Sequence, residues 1–467
     1  MSSVIETIAN WSRLDHCFSD LARLRAKHAI ADTIGCMVAG ADDLATKAVR
    51  SVFAASLGAA GPSPVVGGGR ASMATAALVN ATAAHALDYD DNFRPAITHA
   101  SAVLVPALLA VAQAQNADGR TLVDAYLVGL EAQTAIGRGV NPSHYTLGWH
   151  STSTVGAIGT AAAVAWLAGL DATGISRATS VAVSMASGIK GQFGTPAKPL
   201  HAGLAARNAV EAAELAAAGM TGRLDILDCP QGFLELFGGR DAKGWADITL
   251  ASPHVIEVDG LMPKRHPCCG STHNTVDAIL DLRAGHGFTA SDVAAVECHV
   301  GIANARNLAY PEPTNEMEAR FSMPYCVALA LLKDRLTLAD FTSEAVARHE
   351  VRRLLPITTM TSYSAEDELD GNGRLPHKVT VRLRDGRVIQ TERRQPKGSI
   401  ADPFDDTDRR AKFFDCCRHL DQAALSSLYD QLQSIDEASN LAFLEPVFTA
   451  IPQAATPAAA RRDPVSA

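Results

Sequence analysis

The chain has 467 residues and a formal net charge of −9, with 47% hydrophobic, 19% charged and 5% aromatic residues. That length exceeds one ordinary hydrophobic core and predicts two domains, while the hydrophobic content excludes a chain disordered throughout. An acidic balance without a long basic stripe argues against nucleic acid as a partner, so an anionic substrate would need a local positive pocket.

The first residues, MSSVIETIANWSRLDHC, lack an apolar core of signal-peptide length, and a cytoplasmic protein is the expectation. From about residue 5 to 250 the pattern is almost entirely helical: TAALVNATAAHALDY, SAVLVPALLAVAQAQ, TLVDAYLVGLEAQTAIGRG and GLAARNAVEAAELAAAGMTG each carry strong helix formers and an apolar stripe. Abundant Ala and Gly predict helices that approach closely. The uncharged run STSTVGAIGTAAAVAWLAGL, 151 to 170, is about as long as a membrane span but poor in Leu, Ile and Phe, which predicts a buried core helix and no membrane partner. The GGG at 67 to 69 reads as a turn before a helix. No parallel sheet, doubly wound fold, phosphate-binding loop or nucleophile elbow is legible here.

The texture changes near residue 255. ASDVAAVECHVGIA, 290 to 303, alternates as a strand does, and HKVTVRLRDGRVIQTERR, 377 to 394, reads as a hairpin turning at Asp-Gly. Helical stretches, MPYCVALALLKD and TSEAVARHEVRRLL, lie between them. The predicted architecture is mainly α: a large helical domain (1–257), an inserted smaller α+β domain (258–396), a helical return (397–452) and a disordered tail (453–467). Nine cysteines, at 17, 36, 229, 268, 269, 298, 326, 416 and 417, show no C-x-x-C spacing and read as reduced thiols rather than zinc, cluster or disulfide sites.

Four segments carry chemistry. HALDYDDNFRPAITHAS, 85 to 101, sets His85 and Asp88 one helical turn apart and adds Asp90, Asp91 and His99. Three carboxylates within four residues repel one another unless a cap, a cation or catalysis uses them. The competing reading is a helix end followed by a new helix capped by Thr98 or Ser101. A metal site lacks the expected ligand spacing. GWHSTSTVGAIG places His150 before an apolar helix with hydroxyls at Ser151 to Thr154, where an anion or a capping turn would fit. SGIKGQFGTPAKPLHAGLAARNAV, 187 to 210, holds Lys190, Lys198, His201 and Arg207 without an acid, and its glycines would let backbone approach a ligand. Lys198 is expected in a rigid loop ahead of the next helix. MPKRHPCCGSTHN, 262 to 274, is a second acid-free basic stretch with Lys264, Arg265, His266 and His273. Its Cys268 and Cys269 read better as structural thiols than as nucleophiles. Together these groups suit proton transfer at carbon in a di- or tricarboxylate: cations hold the carboxylates, one group moves a proton and another stabilises enolate-like charge.

Taken in order, HALDYDD with THASAVLVPALLA, GWHSTSTVGAIG, GTPAKPLHAGLAA, PKRHPCCGSTHNTVDA and RFSMPYCVALALL resemble the MmgE/PrpD family. The resemblance implies a helical domain with a smaller α+β lid, usually a homodimer, and no metal or organic cofactor. Members include 2-methylcitrate dehydratase, cis-aconitate decarboxylase and iminodisuccinate epimerase. It implies Asp88, His99, His150, Lys198, Lys264 and Tyr325 as active-site residues, with Cys269 where the decarboxylases carry a further histidine and Asn92 where a threonine is common. We therefore expect His99 and His150 as general acid and base, Asp88 tuning one of them and Tyr325 donating to substrate. Lys198, Lys264, Arg265, His201 and Cys269 would face the substrate's carboxylates. Dehydration or decarboxylation leads; epimerisation, or polycarboxylate binding without turnover, stays open. The remaining acids of the 85–101 segment are expected to be scaffolding.

Overall fold

The computed structural model describes residues 2–449 except 15, 17, 59, 247, 249, 251 and 371–374, so Cys17 and the tail from 453 lie outside the described residues. Ten helices lead: α1 (Val4–Ser12), α2 (Asp20–Gly40), α3 (Leu44–Val52), α4 (Met73–Ala86), α5 (Ala100–Gln115), α6 (Gly119–Val140), α7 (Ser143–Leu147), α8 (Thr154–Leu167), α9 (Ala172–Met185) and α10 (Ala197–Ala217). Most start where a short polar side chain frees the first turn from water. Ser3, Ser19, Asp43, Ser72, Asp118 and Asp171 each accept a first-turn N–H. Helix accounts for 58% and strand for 8%, so the mainly-α expectation holds.

The Ala and Gly content does what packing requires of it. A Cβ on Gly203 of α10 would lie 2.1 Å from Thr82 Oγ1 and 2.6 Å from Leu78 O of α4, and one on Gly40 of α2 would lie 2.0 Å from Ala83 O. Only glycine permits those approaches. α8 is buried at all but one of its 14 residues and no described helix is long and apolar enough to cross a membrane.

Two large apolar cores result among the described residues, beside a small cluster of four alanines from α8, α9 and α10. The larger joins α1 to α6 and α8 to α10 with the helices Asp406–Cys416 and Gln422–Gln433, which return late in the chain. The smaller lies between the helices Gly270–His286 and Met323–Leu332 and a sheet. A minor hairpin, β1 (Ser63–Pro64) and β2 (Arg70–Ala71), flanks the GGG turn. The main sheet runs β4–β3–β5–β6, from β3 (Val293–Val300), β4 (Thr358–Ser362), β5 (His377–Leu383) and β6 (Val388–Arg393). The expected hairpin is β5–β6, with Val381 opposite Ile389 and Gly386 at φ 92° in its turn. Strand β4, parallel to β3, is an addition to the sequence reading. Its TTMTS sequence buries only Thr358, so it carries no apolar alternation to read. TSEAVARHEVRRLL forms two four-residue helices, Ser343–Val346 and His349–Arg352.

Candidate active site

α4 ends at Ala86, and Asp88 turns left-handed with φ 50°. That conformation costs an ordinary residue about 1–2 kcal/mol, so neighbours must hold it. They do: Lys264 Nζ donates to Asp88 O at 2.9 Å and lies 3.2 Å from its Oδ2, while Lys198 Nζ donates to Oδ1. The next carbonyl is held as well, by Lys412 Nζ at 2.8 Å from Tyr89 O. Asn92 and Met262 then exchange two backbone hydrogen bonds of 2.9 Å, and Phe93 pairs with Thr98 around a turn at 94–97. The segment is therefore a braced loop between helices.

The expected cap of α5 is displaced. Thr98 Oγ1 donates instead to Gln133 at 2.9 Å, and Ser101 donates through both N–H and hydroxyl to Asp91. Asp91 thus serves the helix start from outside it. Lys198 also departs from expectation, since it sits in the first turn of α10 rather than in a loop. The glycines near it serve packing: a Cβ on Gly188 would meet Ser153, one on Gly194 would meet Tyr310.

Four histidines gather beside Asp88. Asp90 Oδ2 lies 2.7 Å from His85 Nδ1 and 3.1 Å from His99 Nδ1, the second contact falling off the ideal hydrogen-bond line. The His85 ring stacks with His150 at 5.7 Å between centroids, and His150 Nδ1 meets His201 Nδ1 at 3.1 Å. One of that pair must carry the proton, so their tautomers are opposite. His99 N–H donates to Thr152 Oγ1 at 3.0 Å. Phe193 and Phe321 flank Lys198, with Nζ 5.3 and 5.2 Å from their ring centres.

Burial works against every charge here, and the winners are set by neighbours. Burial would raise the Asp88 carboxyl, but Lys198 and Lys264 outweigh it and hold it well below the usual carboxylate range. Asp90 too is held well below the usual range against burial, by His85 and His99 beside it. Asp91 faces a hydroxyl instead, and burial pushes it up to about 7 despite Ser101. Burial lowers His99 and His150, takes His85 down to about 3 and His201 to about 4, so the imidazoles rest neutral.

A cleft of about 530 Å³ opens between the two cores, with Asp88, His99, His150, Lys198 and Cys269 in its wall. Lys264 lies beneath Asp88 and His201 behind His150, so both touch the cleft through a partner. Arg265 is turned to Asp277 at 3.2 Å. Tyr325 is fully buried in the smaller core and donates its hydroxyl to Asp340 O at 2.5 Å, outside the cleft wall. Sequence reasoning missed the contributions of Asp90, Lys412, Phe193 and Phe321, and of Arg94, Arg394 and His377, which also line the cleft. A second cavity, about 90 Å³, takes Asp91, Asp32, Arg25 and Arg409 and none of the histidines around Asp90.

His85, Asp88, Asp90 and His99 bring ligand-type atoms within 4.8 Å of one another. Two ammonium groups already sit against Asp88, and a dication would face both at contact range. The set fits proton chemistry better than it fits a metal. Its parts are an anchored carboxylate, two ammoniums, neutral imidazoles and an open cleft, which is the equipment of acid–base catalysis on an anion.

Residues 6–245 match the model of the MmgE/PrpD N-terminal domain and residues 266–432 that of the MmgE/PrpD C-terminal domain. The chain belongs to the MmgE/PrpD family. It is 30% identical to cis-aconitate decarboxylase of Homo sapiens over 72% of this chain and 71% of that protein. It is 27% identical to cis-aconitate decarboxylase of Aspergillus terreus, covering 85% and 86%, and 26% identical to the cis-aconitate decarboxylase-like protein oryM of Aspergillus oryzae, covering 89% of each.

Proposed function

We propose that this protein is a cofactor-independent lyase acting on a small di- or tricarboxylate, with decarboxylation of cis-aconitate the first reaction to test. The observation that carries the reading is Asp88 clamped between Lys198 and Lys264 beside His99 and His150 at the cleft. Relatives named as cis-aconitate decarboxylases support the substrate class. In this reaction the C–C bond to the departing carboxylate breaks and that carboxylate leaves as CO2. Its electron pair enters the conjugated system, and the ammonium of Lys198 steadies the resulting charge on a remaining carboxylate. A histidine then delivers a proton to carbon. The anionic substrate itself would raise His99 and His150 towards the protonated state that this last step requires.

Dehydration is the second reading, favoured by one observation: burial keeps His99 and His150 unprotonated, which is the resting state of a base. A base would remove the proton beside a carboxylate while hydroxide leaves with a proton from a second group. Incubation with cis-aconitate, 2-methylcitrate and iminodisuccinate in deuterated water, followed by proton NMR, separates the cases. Decarboxylation gives CO2 and one solvent deuterium in the product, and dehydration gives an alkene. Deuterium in unreacted or inverted substrate would overturn the lyase in favour of an epimerase. Activity untouched by both Lys198→Ala and His99→Ala would show the site to be elsewhere. A homodimer, implied by the resemblance, belongs to the same proposal and is read by light scattering.

A further inference from the structure

Asp90 is an odd residue to bury. Its carboxylate is fully enclosed, its Oδ1 has no hydrogen-bond partner among the described residues, and no backbone N–H is found on it. A structural acid at a helix end caps amides, as Asp91 does next door through Ser101 N–H. Keeping an ionised carboxylate half-satisfied in the interior costs several kcal/mol and calls for a purpose. Its contacts show what the purpose could be. Oδ2 faces two imidazole nitrogens, His85 Nδ1 at 2.7 Å and His99 Nδ1 at 3.1 Å.

We infer that Asp90, steadied by His85, is a positioning residue that fixes His99 as its Nδ1–H tautomer and so presents His99 Nε2 to the cleft as the proton-transfer atom. This rests on the lyase reading above for its reaction but not for its geometry. A carboxylate only accepts hydrogen bonds, so an imidazole nitrogen that bonds to it must carry hydrogen, and His99 Nδ1 lies 3.1 Å away, within reach although off the bonding line. With Nδ1–H directed inward, the lone pair of His99 lies on Nε2. The side chain is 16% exposed and lines the cleft, whereas Asp90 and His85 are fully enclosed. Those two therefore act through His99 and never meet the substrate. When Nε2 takes a proton from carbon, or holds one for delivery to a carbanion, the positive charge spreads over a ring whose other nitrogen already faces a carboxylate. The proton stays on the histidine and Asp90 remains ionised throughout. His85 lends the arrangement rigidity: its own Nδ1 occupies the same oxygen from a second side, its ring stacks on His150, and its buried Nε2 has no hydrogen-bond partner among the described residues. The approach of His99 Nδ1 is off the hydrogen-bond line, and a small turn of the ring around a substrate would tighten it.

The test reads the tautomer directly. Full-length protein labelled with 15N-histidine is compared by NMR with His99→Gln to assign the His99 resonances, then with Asp90→Asn. The expected wild-type result is His99 neutral with hydrogen on Nδ1, and Asp90→Asn shifts it towards the Nε2–H form that free imidazoles prefer. With the substrate found by the screen above, Asp90→Asn should lower kcat about 100-fold or more while KM stays within about threefold, since a transition-state contact and not binding is lost. Asp90→Glu should recover part of the loss and Asp90→Ala none. Hydrogen on Nε2 of His99 in the wild-type protein would overturn the inference, as would an Asp90→Asn spectrum identical to wild type. The wild-type spectrum decides the matter even if a variant does not fold. It also decides independently of turnover, so a failed substrate screen counts against the lyase reading alone.

Discussion

Asp88 keeps a left-handed backbone because two lysines distant in sequence satisfy its carbonyl and its carboxylate. Removing either leaves a buried charge underpaired, which costs about 3–5 kcal/mol in comparable sites. Lys264→Met should therefore lower stability by about that amount in urea unfolding, and activity further, because the Asp88 carboxylate would drift. The pH effect has a definite sign. Asp88 is held below its unfolded value, so its contribution is present above about pH 4 and lost as pH falls through the lower folded value. Lys264→Met should accordingly begin acid unfolding at higher pH than wild type. Lys198 and Lys264 could be picked out in sequence because each stands in a stretch without acids. Lys412 could not: it lies in DRRAKFFD, where charges on both sides imitate a solvated helix face. Asp90 was visible as one of three crowded acids, but nothing local distinguished an acid facing imidazoles from one capping a helix.

The braced loop from Asp88 to Thr98 is the element that joins the two halves of the site. Within it Asp90 and Asp91 are adjacent yet titrate oppositely, since one faces histidines and the other a hydroxyl. Asp91, at about 7 when folded, binds its proton more tightly than in the unfolded chain, so stability is full below about pH 4 and declines as pH rises to 7. Asp91→Asn should remove that slope, with its stability relative to wild type about 2–3 kcal/mol more favourable at pH 8 than at pH 5 in urea titrations. The helix pair α4–α10 is equally exacting. Gly203→Ala should cost about 1–3 kcal/mol by pushing α10 off Thr82 and Leu78, and activity should fall with it because Lys198 rides on that helix. Helices of this kind were legible from period and composition. The start of α5, the position of Lys198 and strand β4 were not: Asp91 caps α5 from ten residues upstream, α10 begins just after Pro196, and β4 is decided by the distant edge of β3.

At the scale of the whole molecule, buried neutral histidines dominate the response to acid. His85 is lowered to about 3, and His28, His144, His201 and His377 to about 4, in each case chiefly by burial. A base whose folded value is lowered contributes stability in full above about pH 6.5; that stability is lost as pH falls towards the folded value, because the unfolded chain takes protons first. Calorimetry should show the thermal midpoint falling from pH 7 to pH 5 with proton uptake on unfolding, with Asp91 and the other carboxylates that burial raises, Asp32, Asp43 and Asp415 among them, opposing the trend. A midpoint that rises over that interval would contradict the burial of these rings. The mainly-α fold and the family were readable in sequence because composition, helical period and five ordered segments each repeat the same message. The bond between Lys412 and the carbonyl of Tyr89 has a consequence in biosynthesis. The two residues stand 323 positions apart, so the loop that orders Asp88 lacks one of its braces until the segment around Lys412 has also left the ribosome. A nascent chain can acquire all ten leading helices before it can hold its carboxylate in place, so competence for turnover lags well behind them.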